Sequence, residues 1–284
     1  MAVVLFRDAV AVVTGGASGL GRALCEELGR RGARVVVTDV QEAGARAVAD
    51  GIVAAGGRAT AAALDVRDPN AFERLLDDTA AAHGRLDYLF NNAGLSAAGE
   101  ARNLSLDHWR KVLDVNLWGV IHGASAAYAR MARQGSGHIV NIASLAGLVS
   151  MALGAPYTAS KFGVVGLSLT MRAEGADLGV KVSAVCPAYI RTGIFDNGTY
   201  VETNKQGVLA VIPFKFLEVD AAARTILQGV ERNKAVLVFP FYARVLWWLT
   251  RLSPSIAVSI NRKTSQAFRR RAARSESRRQ MPHP

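Results

Sequence analysis

Short apolar runs alternate with helical stretches along the first 240 residues, and this alternation constrains the fold more than any other feature of the chain. Residues 9–13 are apolar and end in Thr14, Gly15 and Gly16, after which residues 20–30 follow a helical period. Residues 34–38 form a valine-rich run ended by Asp39, and residues 42–55 are alanine-rich and helical. The cycle repeats with runs at 59–64, 86–90, 138–142, 181–185 and 235–239. Between them lie helical stretches at 69–83, at 107–131 with a break or bend, and at 156–178. Short strands that are apolar on both faces mark a parallel sheet covered by helices, joined by right-handed crossovers. The expected fold is therefore α/β: a Rossmann-type doubly wound parallel sheet of about seven strands with helices on both faces.

No linker rich in proline, serine or charge divides residues 1–250, which read as a single dinucleotide-binding catalytic domain. Residues 194–216, irregular and containing Gly198, Gly207 and Pro213, lie beyond the sixth strand and are expected to form a substrate lid. Residues 251–284 read as a basic, partly disordered C-terminal extension. Residues 262–284 carry eight Lys/Arg against one acid, Glu276, whereas the remainder of the chain is close to neutral. The net charge of +11 thus says little about what the body does. The tail suits solvent, anionic lipid or nonspecific phosphate contact, and no recognised nucleic-acid module accompanies it, so no specific nucleic acid is expected.

Two cysteines in apolar surroundings and no CxxC pattern exclude a disulfide framework and point to a reducing, cytoplasmic compartment. Five scattered histidines without paired ligand spacing give no reason to expect a metal. The apolar N-terminus, broken by Arg7 and Asp8, lacks signal-peptide form, and no run reaches the length of a membrane span. The aromatic stretch 239–252 reads either as an interfacial amphipathic helix or as a cover for the substrate pocket or a subunit partner, leaving peripheral membrane contact open.

Gly15, Gly19 and Gly21 follow the first strand and open a helix. Glycine there lets backbone approach a pyrophosphate, while free amides and the helix dipole face the phosphates. Asp39 closes the next strand 18 residues beyond Gly21, placed to accept hydrogen bonds from both ribose hydroxyls and to repel a 2′-phosphate. Ala17 is uncharged and no basic residue follows Asp39 directly, so the expected cofactor is NAD rather than NADP. Asp65 ends the third strand and is suited either to an adenine contact or to capping.

Tyr157 and Lys161 lie four residues apart on one helical face. A lysine cation favours phenolate and is expected to lower the tyrosine pKa, so that Tyr157 trades a proton with an alcohol or ketone. Ser144, ending the fifth strand, is placed to orient the same oxygen.

Taken together, Thr14 to Gly21, Asp65–Val66, Asn91–Asn92–Ala93–Gly94, Asn116, Ser144, Tyr157 to Lys161, and Pro187 with Thr192 resemble the short-chain dehydrogenases/reductases over about residues 7–240. The resemblance implies Tyr157 as general acid/base, Lys161 as its tuner and ribose ligand, Ser144 on the reacting oxygen, and Asn116 disturbing its helix and helping to hold a relay water. It implies a cofactor pocket of Gly15, Ala17, Ser18, Gly19, Leu20 and Gly21, joined by Asp39, Asp65 and Val66. Asn92, Ala93, Gly94, Pro187, Ile190 and Thr192 complete it, with Tyr157 and Lys161. Ala188 stands where the family usually has glycine.

Ser96, Ser144, Leu145, Met151, Tyr157, Tyr189, Phe195 and Phe214 are the expected substrate contacts, with Ala97 and Leu148 beside them. Few are charged, which points to a lipophilic secondary alcohol or its ketone. An NADPH-linked carbonyl reductase and a cofactor-binding regulatory protein with little turnover are the alternatives. The resemblance also implies a homodimer or homotetramer, with faces at 117–131 and 162–171, and closed symmetry is the usual outcome for such assemblies.

Overall fold

The structure is a computed structural model that describes residues 5–212 and 214–279, with side chains described as far as Arg271. Pro213 of the expected lid and the last residues of the basic tail therefore lie outside the described residues.

Seven parallel strands form one sheet: β1 (Val10–Thr14), β2 (Arg34–Asp39), β3 (Arg58–Ala63), β4 (Tyr88–Asn91), β6 (Gly137–Ile142), β7 (Val180–Pro187) and β9 (Val236–Phe239). Their order is β3-β2-β1-β4-β6-β7-β9, the doubly wound arrangement expected from the alternation. Two further strands, β5 (Ala97–Ala98) and β8 (Thr199–Tyr200), pair in parallel apart from it. The sequence gives no sign of them, because two residues carry no periodicity.

Side chains leave each strand alternately on its two faces. Ala11, Val13, Val35, Val37 and Phe90 pack under α1 (Gly19–Arg30), α2 (Glu42–Ala54) and α8 (Val219–Glu231), meeting Leu24, Leu28, Ala45, Ile226 and Leu227. On the other face, Val12, Val36, Leu89, Ile139 and Val182 meet Phe72 and Leu76 of α3 (Pro69–His83), Met131 of α5 (Gly119–Gln134) and Met171 of α6 (Ala155–Gly175). The expected bend in 107–131 is a π-turn, Asp114–Trp118, between α4 (Leu106–Leu113) and α5. The lid region holds a short helix, α7 (Lys205–Leu209). Cys25 and Cys186 are buried free thiols, and burial holds both well above the ordinary thiol range.

After β9, the chain forms α9 (Phe241–Leu252) and α10 (Pro254–Arg279). The sequence suggests a solvated, partly disordered segment beyond residue 262, whereas the chain is helical to Arg279. Basic composition hid the anchoring side chains. Phe268 is buried, Arg269 pairs with the buried Glu100, and Arg271 donates to the carbonyl of Ala210.

One buried group makes the fold acid-sensitive. His138 on β6 lies 2.8 Å from Ser183 Oγ, whose own proton goes to the Lys234 carbonyl at 2.6 Å. The imidazole therefore donates from Nε2 to that hydroxyl. Burial lowers the His138 pKa to about 3, with Lys181 and Arg172 adding to the effect. The folded state thus refuses a proton that the unfolded chain accepts below about pH 6.5. Stability is full above that pH and falls as pH drops toward 3. Between pH 6.5 and 5 the expected loss is about 2 kcal/mol. Urea titrations of the wild type and H138Q across this window check it: the variant should show a flatter acid limb.

Candidate active site

The sheet order reverses between β1 and β4, and both strands end in loops stitched to each other there. Thr14, the last residue of β1, accepts through its hydroxyl from the backbone amides of Asn92 and Ala93, each at 3.0 Å. Asn92 Nδ2 donates back to the carbonyls of Thr14 (3.0 Å) and Gly15 (3.2 Å). Gly15 has φ +65°, and a Cβ on it would stand 2.9 Å from Ala93 Cα. A Cβ on Gly21 would stand 2.0 Å from the Gly15 carbonyl oxygen. Backbone lies against backbone throughout this corner.

The cradle fits a dinucleotide. The Ser18 side chain makes no capping bond to α1, so the first-turn amides remain for a phosphate. Asp39 is held at the rim: Oδ2 accepts from Ala17 N at 3.1 Å and Oδ1 from Gln41 N at 3.0 Å. Asp65 is gripped by Arg67, whose guanidinium spans both carboxylate oxygens and holds the Asp65 pKa below its usual value. The Asp65 carboxylate is thus engaged by this arginine.

Tyr157 sits in the first turn of α6 and Lys161 one turn on, with Lys161 Nζ 5.6 Å from the Tyr157 ring centre. Lys161 is buried, and its Nζ donates to the Ile142 carbonyl at 2.8 Å. Burial lowers its pKa to about 8. The tyrosine departs from the sequence expectation. Its phenol pKa is raised, chiefly by burial, against a smaller downward pull from Ser144. Lys161 directs its Nζ at the Ile142 carbonyl. Ser144 Oγ accepts from Ala146 N at 3.1 Å, which leaves its proton free to donate.

Asn116 lies in the π-turn, as its expected disturbance of the helix requires. Its carboxamide is committed: Nδ2 donates to Leu95 O at 2.9 Å and Ser160 Oγ at 3.4 Å, and Oδ1 accepts from Leu95 N at 2.9 Å. These bonds fix the chain beyond Gly94, a role that motif spacing did not reveal. Asn91 Nδ2 donates to Asn141 Oδ1 at 2.8 Å beneath this region, bracing β4 against β6.

A single cleft of about 700 Å³ joins the two halves of the site. Gly15, Ser18, Gly19, Leu20, Asp39, Asp65, Val66, Asn92, Ala93 and Gly94 line it, as do Pro187, Ile190, Thr192 and Lys161. Ala17 and Gly21 are absent from the lining; they act from behind, holding Asp39 and admitting the Gly15 carbonyl. All eight expected substrate contacts, Ser96, Ser144, Leu145, Met151, Tyr157, Tyr189, Phe195 and Phe214, line the cleft. Leu148 packs against the core instead. Leu246 of α9 roofs the cleft, the pocket-covering role open to residues 239–252, whereas sequence reading missed Ala257, Ile260, Asn261 and Thr264 of α10. Asn261 clamps this roof shut, accepting from Ala152 N at 2.8 Å and donating to Ser150 O at 2.9 Å. Phe214 stacks on Tyr242 at 4.4 Å, which ties the lid to α9.

Residues 9–200 match the short chain dehydrogenase family. The chain belongs to that family. Two relatives extend the likeness into the C-terminal region. SadH of Mycobacterium tuberculosis is 32% identical over 255 residues, covering 88% of this chain and 92% of SadH. The C alpha-dehydrogenase of a Sphingobium species is 34% identical over 250 residues, covering 83% and 81%. Among solved structures, a short chain dehydrogenase/reductase of Burkholderia phymatum in complex with NAD superposes with a TM-score of 0.82 at 29% identity. That match covers 88% of this chain and 95% of the other. The dehydrogenase is thus an oxidoreductase of a fold that binds nicotinamide dinucleotides and acts on alcohols. No helix among the described residues is long and apolar enough to cross a membrane.

Proposed function

We propose that this dehydrogenase uses NAD and acts on a lipophilic secondary alcohol or the corresponding ketone. The observation that carries the reading is one continuous cleft with Asp39 at one end and Ser144 and Tyr157 under an apolar lid at the other. A carboxylate fixed at the end of β2 suits a ribose diol and opposes a 2′-phosphate. Arg67 also lines the cleft, but Asp65 already neutralises it. The NAD-bound relative supports the same cofactor. Leu145, Met151, Tyr189, Phe195, Val208 and Phe214 offer apolar surface at the substrate end, and among the described residues Arg67, Lys111 and Lys161 are the cations that line the cleft.

A nicotinamide held in this cleft supplies the hydride acceptor for oxidation and the donor for reduction. The chain's own residues handle the oxygen and its proton. Ser144 donates its free hydroxyl hydrogen to the substrate oxygen. Tyr157 takes the hydroxyl proton of an alcohol when ionised, or gives its own proton to a carbonyl oxygen when neutral. Lys161, anchored on Ile142, keeps a donor below the tyrosine ring.

The test is a screen of steroid, terpenoid, aliphatic and sugar alcohols with NAD and with NADP, following reduced nicotinamide. Turnover of apolar alcohols with NAD is expected. D39A should erode the preference for NAD over NADP by about tenfold, the worth of one hydrogen bond to a charged group. Preference for NADP in the wild type would favour a carbonyl reductase. No turnover across the panel would favour a regulatory binding protein.

A further inference from the structure

The last two helices turn an apolar face away from the body. On α9, Ala243 and Thr250 are buried, and Leu246 and Trp247 pack toward the core. On the opposite side stand Phe241, Val245, Trp248, Leu249 and Leu252, spaced to form one helical stripe. Phe241 is 76% exposed, Trp248 59% and Leu252 80%. Val258 on α10 is 65% exposed and extends the apolar surface onto the next helix. Water gains nothing from such a stripe, and a monomer does not need it for its core.

Charge decides what covers it. From Phe241 to Arg271 the chain has seven Lys/Arg and not one Asp or Glu, and of these Arg269 is paired with Glu100 on the body. Arg244 and Arg251 lie on α9 itself, along the flank of the stripe, and Arg251 also sits 5.9 Å from the Trp247 ring. Long cationic side chains beside an exposed aromatic stripe can keep their charges among headgroups while the stripe enters the acyl boundary. A second copy docking here by twofold symmetry would bring two strongly cationic segments together, which opposes self-association.

We infer that the outer face of α9, continued onto the start of α10, docks on an anionic lipid bilayer. The helix lies in the interface plane, since α9 has only 12 residues. Leu246, Ala257 and Ile260 on these same helices wall the substrate cleft, so docking sets that wall against the source of an apolar substrate. The membrane contact does not depend on the substrate reading.

Flotation of the full chain with vesicles of phosphatidylcholine alone, or with 30% phosphatidylglycerol, tests the docking. Binding to the anionic vesicles is expected to exceed that to neutral ones by at least tenfold at low salt. The double variant W248S/L252S should lose at least fivefold of that binding with an unchanged melting temperature. Neither residue lines the cleft. A second variant, R244Q/R251Q, should reduce the anionic preference and keeps the test independent of the apolar substitution. Equal flotation on both vesicle types would overturn the proposal. So would unchanged anionic binding by W248S/L252S, which would assign attraction to the basic tail alone. A dimer that W248S/L252S converts to monomer would assign the face to a second copy.

Discussion

Replacing Tyr157 with phenylalanine is expected to lower turnover by about 10²- to 10⁴-fold while dinucleotide affinity changes little. The substitution keeps the ring that packs in the first turn of α6 and removes only the hydroxyl. Steady-state rates paired with fluorescence titration of the dinucleotide separate the two effects; a variant within threefold of wild-type turnover would remove Tyr157 from the chemistry. The pH dependence follows from the direction of the phenol's shift. Burial raises the Tyr157 pKa, so the neutral form dominates near pH 7 and serves carbonyl reduction. Alcohol oxidation needs the ionised form and should rise with pH through the alkaline range. An oxidation rate that is flat from pH 7 to 10 would mean that another group takes the proton.

Replacing Gly21 with alanine is expected to weaken dinucleotide binding by about 10- to 100-fold. The new methyl would meet the Gly15 carbonyl at 2.0 Å and Asn92 Nδ2 at 2.5 Å. Neither atom can yield cheaply, because the Gly15 carbonyl belongs to the cradle and Asn92 is held by two bonds to the same turn. Overpacking a close-packed corner costs about 1–3 kcal/mol, and here the distortion falls on phosphate-facing backbone. Calorimetric titration with NAD and a thermal melt check it together. Unchanged affinity would show that the first turn of α1 does not hold the pyrophosphate.

Much of the sheet was legible because its signal is local. Each strand is a short apolar run, and apolar residues at adjacent positions serve opposite faces, as Val12 and Val13 do. The site residues at strand ends were legible for the same reason: Ser144 and Asp39 close recognisable runs. What stayed hidden depends on contacts between distant positions. Asn261 bonds to Ala152, 109 residues away, and nothing in the sequence around either residue announces the other. The α10 part of the roof was obscured further because arginines and serines around it have the composition of a solvated tail. Spacing placed Lys161 beside Tyr157 but did not reveal that Lys161 is buried and bonded to the Ile142 carbonyl.

The paired strands β5 and β8 bear on how substrate preference can be transplanted. Thr199 N donates to Ser96 O and Val201 N to Ala98 O, each at 2.9 Å, while Ser96 Oγ donates to Ile194 O at 3.1 Å. The loop after β4 and the lid are therefore woven into one fabric, although a hundred residues of chain separate them. Grafting a foreign lid alone would leave the older loop offering carbonyls to a mismatched partner. A chimera that exchanges residues 95–99 together with 194–212 preserves the weave, so these two segments form the natural unit of specificity exchange.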